Sequence, residues 1–67
     1  MKNVAKVIEV VGSSSKSWDD AAQQAVKVAS KTIKNISGVQ VMHMTGQVKG
    51  SSIKTYKTTV KIAFGLD

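Results

Sequence analysis

The side chains that could do chemistry here are few, and their spacing limits what that chemistry can be. The chain has one histidine, His43, four acids (Glu9, Asp19, Asp20 and Asp67) and no cysteine. The acids are not paired at a spacing that suggests acid–base work, and no serine has a plausible base beside it. Disulfide staples are excluded, and a lone imidazole with scattered acids fits a structural zinc site poorly. Nothing in this set makes an enzyme. The abundant group is lysine: all ten basic residues are lysines, and the net charge is +6. Arginine carries most bidentate phosphate and base-edge recognition, whereas lysine is a flexible point charge. A lysine-only surface attracts anions loosely and keeps a small protein soluble, but it reads no nucleic-acid sequence. A lysine-rich nucleic-acid-binding module is therefore the least supported reading.

The lysines with the most regular setting lie in the last third. From Ile53 to Phe64, Lys54, Tyr56, Thr58, Val60, Ile62 and Phe64 point one way; Thr55, Lys57, Thr59, Lys61 and Ala63 point the other. Such alternation marks a strand with one buried face. On a lone subunit, Lys57 and Lys61 would lie on an ordinary solvated face. In a closed shell they would line the interior and suit anionic ligands. Both readings stand open at this level.

The elements that must position these residues form one α+β domain over 1–67, in the order β-α-β-β. Val4 to Val11 reads as a first strand with apolar residues on both faces, so a second surface is expected to cover it. Gly12-Ser13-Ser14-Ser15-Lys16 reads as a turn and Ser17 as the N-cap of a helix from Trp18 to about Asn35. Asp19 and Asp20 in its first turn, with Lys31 and Lys34 in its last, suit the helix dipole. The serines and Lys16 could hold a phosphate at the helix start, but they lack glycine-rich spacing, and simple capping is preferred. Ser37-Gly38 reads as a break, Val39 to Val48 as a second strand, and Lys49-Gly50-Ser51-Ser52 as a hairpin. Strands two and three pair antiparallel through that hairpin.

This subunit looks under-built. The helix face is dominated by Ala21, Ala22, Ala25 and Ala29, which bury little area each. The last strand runs about 40 Å at ~3.3 Å per residue, against roughly 27 Å for the expected helix. Chains this short are marginal unless stapled or oligomeric, so another copy is the expected partner. Trp18 reads as a packing anchor, Tyr56 as core, His43 as a polar lining or interface residue, and Met42 and Met44 as adaptable packing. The N-terminus lacks the apolar core of a secretory signal, and no run approaches the ~20 apolar residues of a membrane span. A cytoplasmic protein with no membrane partner is expected.

The valine-rich first strand, Val10-Val11-Gly12-Ser13-Ser14, the helix start Ser17-Trp18-Asp19-Asp20-Ala21-Ala22 and the ending from Thr55 to Phe64 together resemble the dodecins. The likeness runs nearly end to end. It implies a three-stranded antiparallel sheet wrapped around one helix, assembling into a hollow homododecamer. It also implies that pairs of flavins (FMN, riboflavin or related) stack at two-fold contacts between subunits, for storage or photoprotective quenching rather than catalysis. On this resemblance Gly38, Gln40, Thr45, Gln47 and Lys57 line each flavin site. Two positions depart from the pattern of flavin-binding members. Gly38 stands where they carry a tryptophan that covers the ring, and stacking on an aromatic is worth about 1–3 kcal/mol in the comparable nucleobase case. Lys57 stands where they carry a glutamine, and a donor-only group recognises the flavin edge one-sidedly, though it favours an anionic ring or a phosphate. The alternative is a shell of the same build with weak or no flavin binding, structural or holding ions or small anions.

Overall fold

The computed structural model describes residues 4–66. Asp67, counted among the acids above, and the first three residues lie outside that range. The elements are β1 (Ala5–Ser14), α1 (Trp18–Ala29), β2 (Ile36–Lys49) and β3 (Ser52–Gly65). This is the β-α-β-β order read from the sequence. β3 is the central strand, with β1 and β2 antiparallel on either side. A two-residue hairpin led by Gly50 (φ 69°) joins β2 to β3, the left-handed position that glycine fills without steric cost.

The alternation in β3 becomes a core. Thr58, Val60 and Ile62 are buried under α1 together with Ala21 and Ala25. Ile8, Val10, Ala22, Val26, Ala29 and Ile36 pack around them. Thr58 is the buried polar residue of this set. Its hydroxyl donates to the Trp18 carbonyl at 2.9 Å and ties the central strand to the first helical turn. Thr58→Val keeps the shape and removes that bond. It is expected to cost about 1 kcal/mol, read as a lower urea midpoint with an unchanged slope.

β1 is longer than expected. Gly12, Ser13 and Ser14, read as a turn, stay in the strand and pair with Thr58, Lys57 and Tyr56. The missing side chain explains it: a Cβ on Gly12 would overlap the Ala21 carbonyl oxygen and come within 2.9 Å of the carbonyl carbon. Glycine lets the helix backbone settle on the strand.

The turn that follows is used for capping. Ser17 Oγ accepts from the Asp20 N–H at 3.0 Å. Ser14 Oγ donates to Asp20 Oδ2 at 2.6 Å and accepts from the Lys16 N–H at 2.9 Å. The Ser14 hydroxyl, more than any other group, holds the Asp20 carboxyl below its ordinary value. Partial desolvation opposes this, while Gln24, Lys16 and Lys27 add to it. A depressed carboxyl stabilises the fold above its unfolded-state value, and that contribution is lost as pH falls through the folded value. Ser14→Ala should therefore shift acid unfolding to higher pH, as followed by circular dichroism below about pH 5.

The helix is shorter than expected. It stops at Ala29, not near Asn35. The Ser30 hydroxyl donates to the Lys27 carbonyl, and the N–H groups of Lys31, Thr32 and Ile33 turn back onto Val28 and Ala29. β-Branched Thr32 and Ile33 weaken any continuation, and Asn35 reverses the chain at φ 65°. Lys31 and Lys34 thus leave the helix, and only Lys27 sits in its last turn. The chain break falls at Asn35, so Ser37 and Gly38 lie inside β2, at a register shift.

The mismatch of lengths is larger than the sequence suggested. Twelve helical residues rise about 18 Å, whereas the 14 residues of β3 run about 46 Å. The molecule measures 53 × 20 × 12 Å. The helix lies over β1 and β3 and barely reaches β2. Val39, Val41 and Met44, opposite Ile62, Val60 and Thr58 on the helix side of the sheet, remain 51%, 46% and 61% exposed. On the other side Val7 and Val11 of β1 are also open, so the second cover expected for β1 does not come from the described residues of its own chain.

Candidate functional site

The face of the sheet turned away from α1 is set by register. Directly opposed residues share a face, and a shift by one residue moves a side chain to the other side. Starting from buried Val60 and Ile62, this face carries Val7, Glu9, Val11 and Ser13 on β1, and Thr55, Lys57, Thr59, Lys61 and Ala63 on β3. The register shift at Ile36/Gly38 turns Gly38 away from the side of Ile36, and the one at Val41/His43 brings His43, Thr45 and Gln47 of β2 to the face of Gly38 and Gln40. All five predicted site residues therefore lie on one surface. Without the bulge at Val41/His43 the alternation of β2 would have put Gly38 and Gln40 on the opposite face from Thr45 and Gln47.

They do not meet at one point. Gly38 faces Ala63, Gln40 faces Lys61, Thr45 faces Lys57, and Gln47 faces Thr55. From the first of these pairs to the last the face extends about 27 Å along β3. Gly38 and Gln40 form one end; Thr45, Gln47 and Lys57 form the other. Lys57 is half-buried, while the four β2 residues are exposed. A Cβ on Gly38 would meet nothing within 4 Å. At the hairpin end a shallow hollow of about 530 Å³ is lined by Gln47, Val48, Lys49, Lys54 and Thr55.

Lys54 is a correction. A third register shift, between Gln47 and Val48, puts it beside Gln47 and Thr55, and Ile53 takes the helix side, 3.1 Å from where a Gly46 Cβ would stand. The alternation read from Ile53 holds only from Thr55 onward.

Trp18 packs as an anchor. Its ring lies edge-on to Tyr56, with centroids 4.8 Å apart, and its Nε1–H donates to the Thr45 carbonyl at 2.8 Å. The indole crosses β3 beneath the sheet and holds the stretch of β2 that presents Thr45 and Gln47. Sequence reasoning missed this support. Residues 18 and 45 belong to different elements, and no linear spacing joins them.

A single-helix, three-stranded subunit with a polar, lysine-bearing open face is the class these observations define. The family model described as Dodecin matches residues 4–67. The chain is 28% identical to a dodecin from Thermus thermophilus, covering 100% of this chain and 97% of that protein. It is 31% identical to a calcium dodecin from Mycobacterium tuberculosis, covering 92% and 87%. Among solved structures, a dodecin from Streptomyces coelicolor superposes with a TM-score of 0.93 at 31% identity, over 100% of this chain and 97% of that one. The Mycobacterium tuberculosis calcium dodecin, described as having a novel calcium-binding site, superposes with a TM-score of 0.84 at 29% identity, over 97% and 93%. The chain belongs to the dodecin family.

Proposed function

We propose that this protein is a homo-oligomeric binding protein, a closed dodecameric shell that sequesters flavin at sites shared between subunits, and that it works by holding the ligand and not by catalysis. The observation that carries the reading is the gathering of Gly38, Gln40, Thr45, Gln47 and Lys57 on one sheet face by the bulge at Val41/His43. Their 27 Å spread supports a site assembled from more than one copy, with the Gly38 end of one chain meeting a neighbour. The uncovered row Val39, Val41 and Met44 supports association, since exposed apolar surface of this extent seeks cover.

These residues fit the polar part of a flavin. Gln40 and Gln47 each give and accept, and Lys57 gives. Gly38 leaves an open slot with no aromatic to cover the ring. When bound, a flavin supplies an absorbing ring system that stacking can quench. This chain's residues bind its edge and keep it from bulk water.

The calcium dodecin raises a second reading, a shell of this build that holds ions. A calcium site needs six to eight oxygen ligands. Among the described residues no group of three His, Cys, Asp or Glu side chains converges. The lysines on the open face would repel a divalent cation and favour an anion. No helix of the described residues is long and apolar enough to cross a membrane. The test is a titration of riboflavin and FMN fluorescence with the purified assembly, its mass measured by sedimentation. Quenching that saturates at stoichiometric ratio in a large uniform particle supports the proposal. A large particle that leaves both fluorescences untouched overturns the flavin part, and a stable seven-kilodalton monomer overturns the shell.

A further inference from the structure

β2 is an edge strand that the helix barely reaches, and its stretch from His43 to Gln47 lies between two register shifts, at Val41/His43 and Gln47/Val48. A bulge disrupts the ladder locally and lets the strand bend, so pairing with β3 along one side is a weak hold on Thr45 and Gln47. A second hold comes from α1. Trp18 Nε1–H donates to the Thr45 carbonyl at 2.8 Å, while the ring is braced edge-on against Tyr56 with centroids 4.8 Å apart. The Trp18 carbonyl in turn accepts from the Thr58 hydroxyl at 2.9 Å, so the residue that grips β2 is itself pinned to the central strand. Gly46 makes room for this crossing. It pairs with Tyr56 on the helix side, and a Cβ there would stand 3.7 Å from Trp18 Cζ2 and 3.1 Å from Ile53 Cγ2. Its neighbours Thr45 and Gln47 turn to the open face above the indole.

We infer that Trp18 is a positioning residue for the ligand of the open face: its indole N–H fixes the backbone from which Thr45 and Gln47 project, and with it the affinity of the site. This rests on the flavin reading above. Trp18 lies on the other side of the sheet and touches no ligand itself; it raises the fraction of subunits in which the two side chains stand ready. Apparent affinity scales with that fraction. The loss on removing the bond is therefore bounded by what one hydrogen bond contributes net, about fivefold.

The experiment replaces Trp18 in the full-length assembly by benzothienylalanine, which keeps the fused ring and puts sulfur where the Nε1–H stands, and separately makes Trp18→Phe. Riboflavin fluorescence titration of both is compared with Ile62→Val, a core change of similar cost to stability further along β3, opposite Val39. The expected result is about fivefold weaker binding in the two position-18 variants and native affinity in Ile62→Val. Native affinity in the sulfur analogue overturns the inference while leaving flavin binding intact. An equal loss in Ile62→Val also overturns it, since affinity would then follow stability alone. If riboflavin does not bind the native assembly, the flavin reading fails separately, and amide hydrogen exchange decides on the grip. Exchange in the sulfur analogue that quickens from His43 to Gln47 but not at Val60 and Ile62 upholds it. Exchange that is unchanged in that stretch, or that quickens throughout the chain, overturns it.

Discussion

Gly12→Ala is expected to remove more than ~3 kcal/mol of stability, a large share of what a chain of this size has, at roughly 0.05–0.15 kcal/mol per residue. The added methyl would stand inside the Ala21 carbonyl and 3.1 Å from the Ala25 Cβ. Backbone cannot yield as a flexible side chain can, so α1 must lift away from β1. Lifting it exposes Val60 and Ile62, the largest apolar side chains that are fully buried. Thermal or urea melts read the loss directly. Gly38→Ala is the control: its Cβ enters open space, and a change within about 0.5 kcal/mol is expected. Equal melts for the two variants would show that the helix does not ride on Gly12.

Gly38→Trp is expected to raise flavin affinity by about an order of magnitude. An aromatic surface under a stacked ring contributes about 1–3 kcal/mol in the nucleobase case, which corresponds to roughly 5- to 150-fold in binding. The position tolerates the change, since no atom lies within 4 Å of the new Cβ and the strand there is exposed. Riboflavin fluorescence titration gives the affinity, and sedimentation with circular dichroism shows whether the assembly and fold persist. An intact particle whose affinity is unchanged would place the ring somewhere other than over Gly38.

Much of the fold was legible. The alternation through Thr55–Phe64 is local and carries its own face assignment, and Thr58, Val60 and Ile62 are buried as it requires. Ser17 as N-cap, with acids in the first turn, is equally local. The ends of elements were less legible. Gly12-Ser13-Ser14 has the composition of a turn, yet it pairs with β3 because the hydrogen-bonding partner comes from residues more than forty positions later. The helix end was misplaced because Lys31 and Lys34 suit a last turn in charge, while the Ser30 hydroxyl and the Asn35 reversal end it in geometry. Lys54 was misassigned because one bulge inverts every face before it.

The amino-acid order alone therefore determined which segments become strand and helix, which face of β3 is buried, and that one subunit leaves apolar surface uncovered, because these follow from side-chain period and length. The tertiary structure alone decided that β3 is central and that Gly38, Gln40, Thr45, Gln47 and Lys57 share a face with His43 and Lys61. Faces in a sheet depend on register, and register is a property of paired strands, not of either strand by itself.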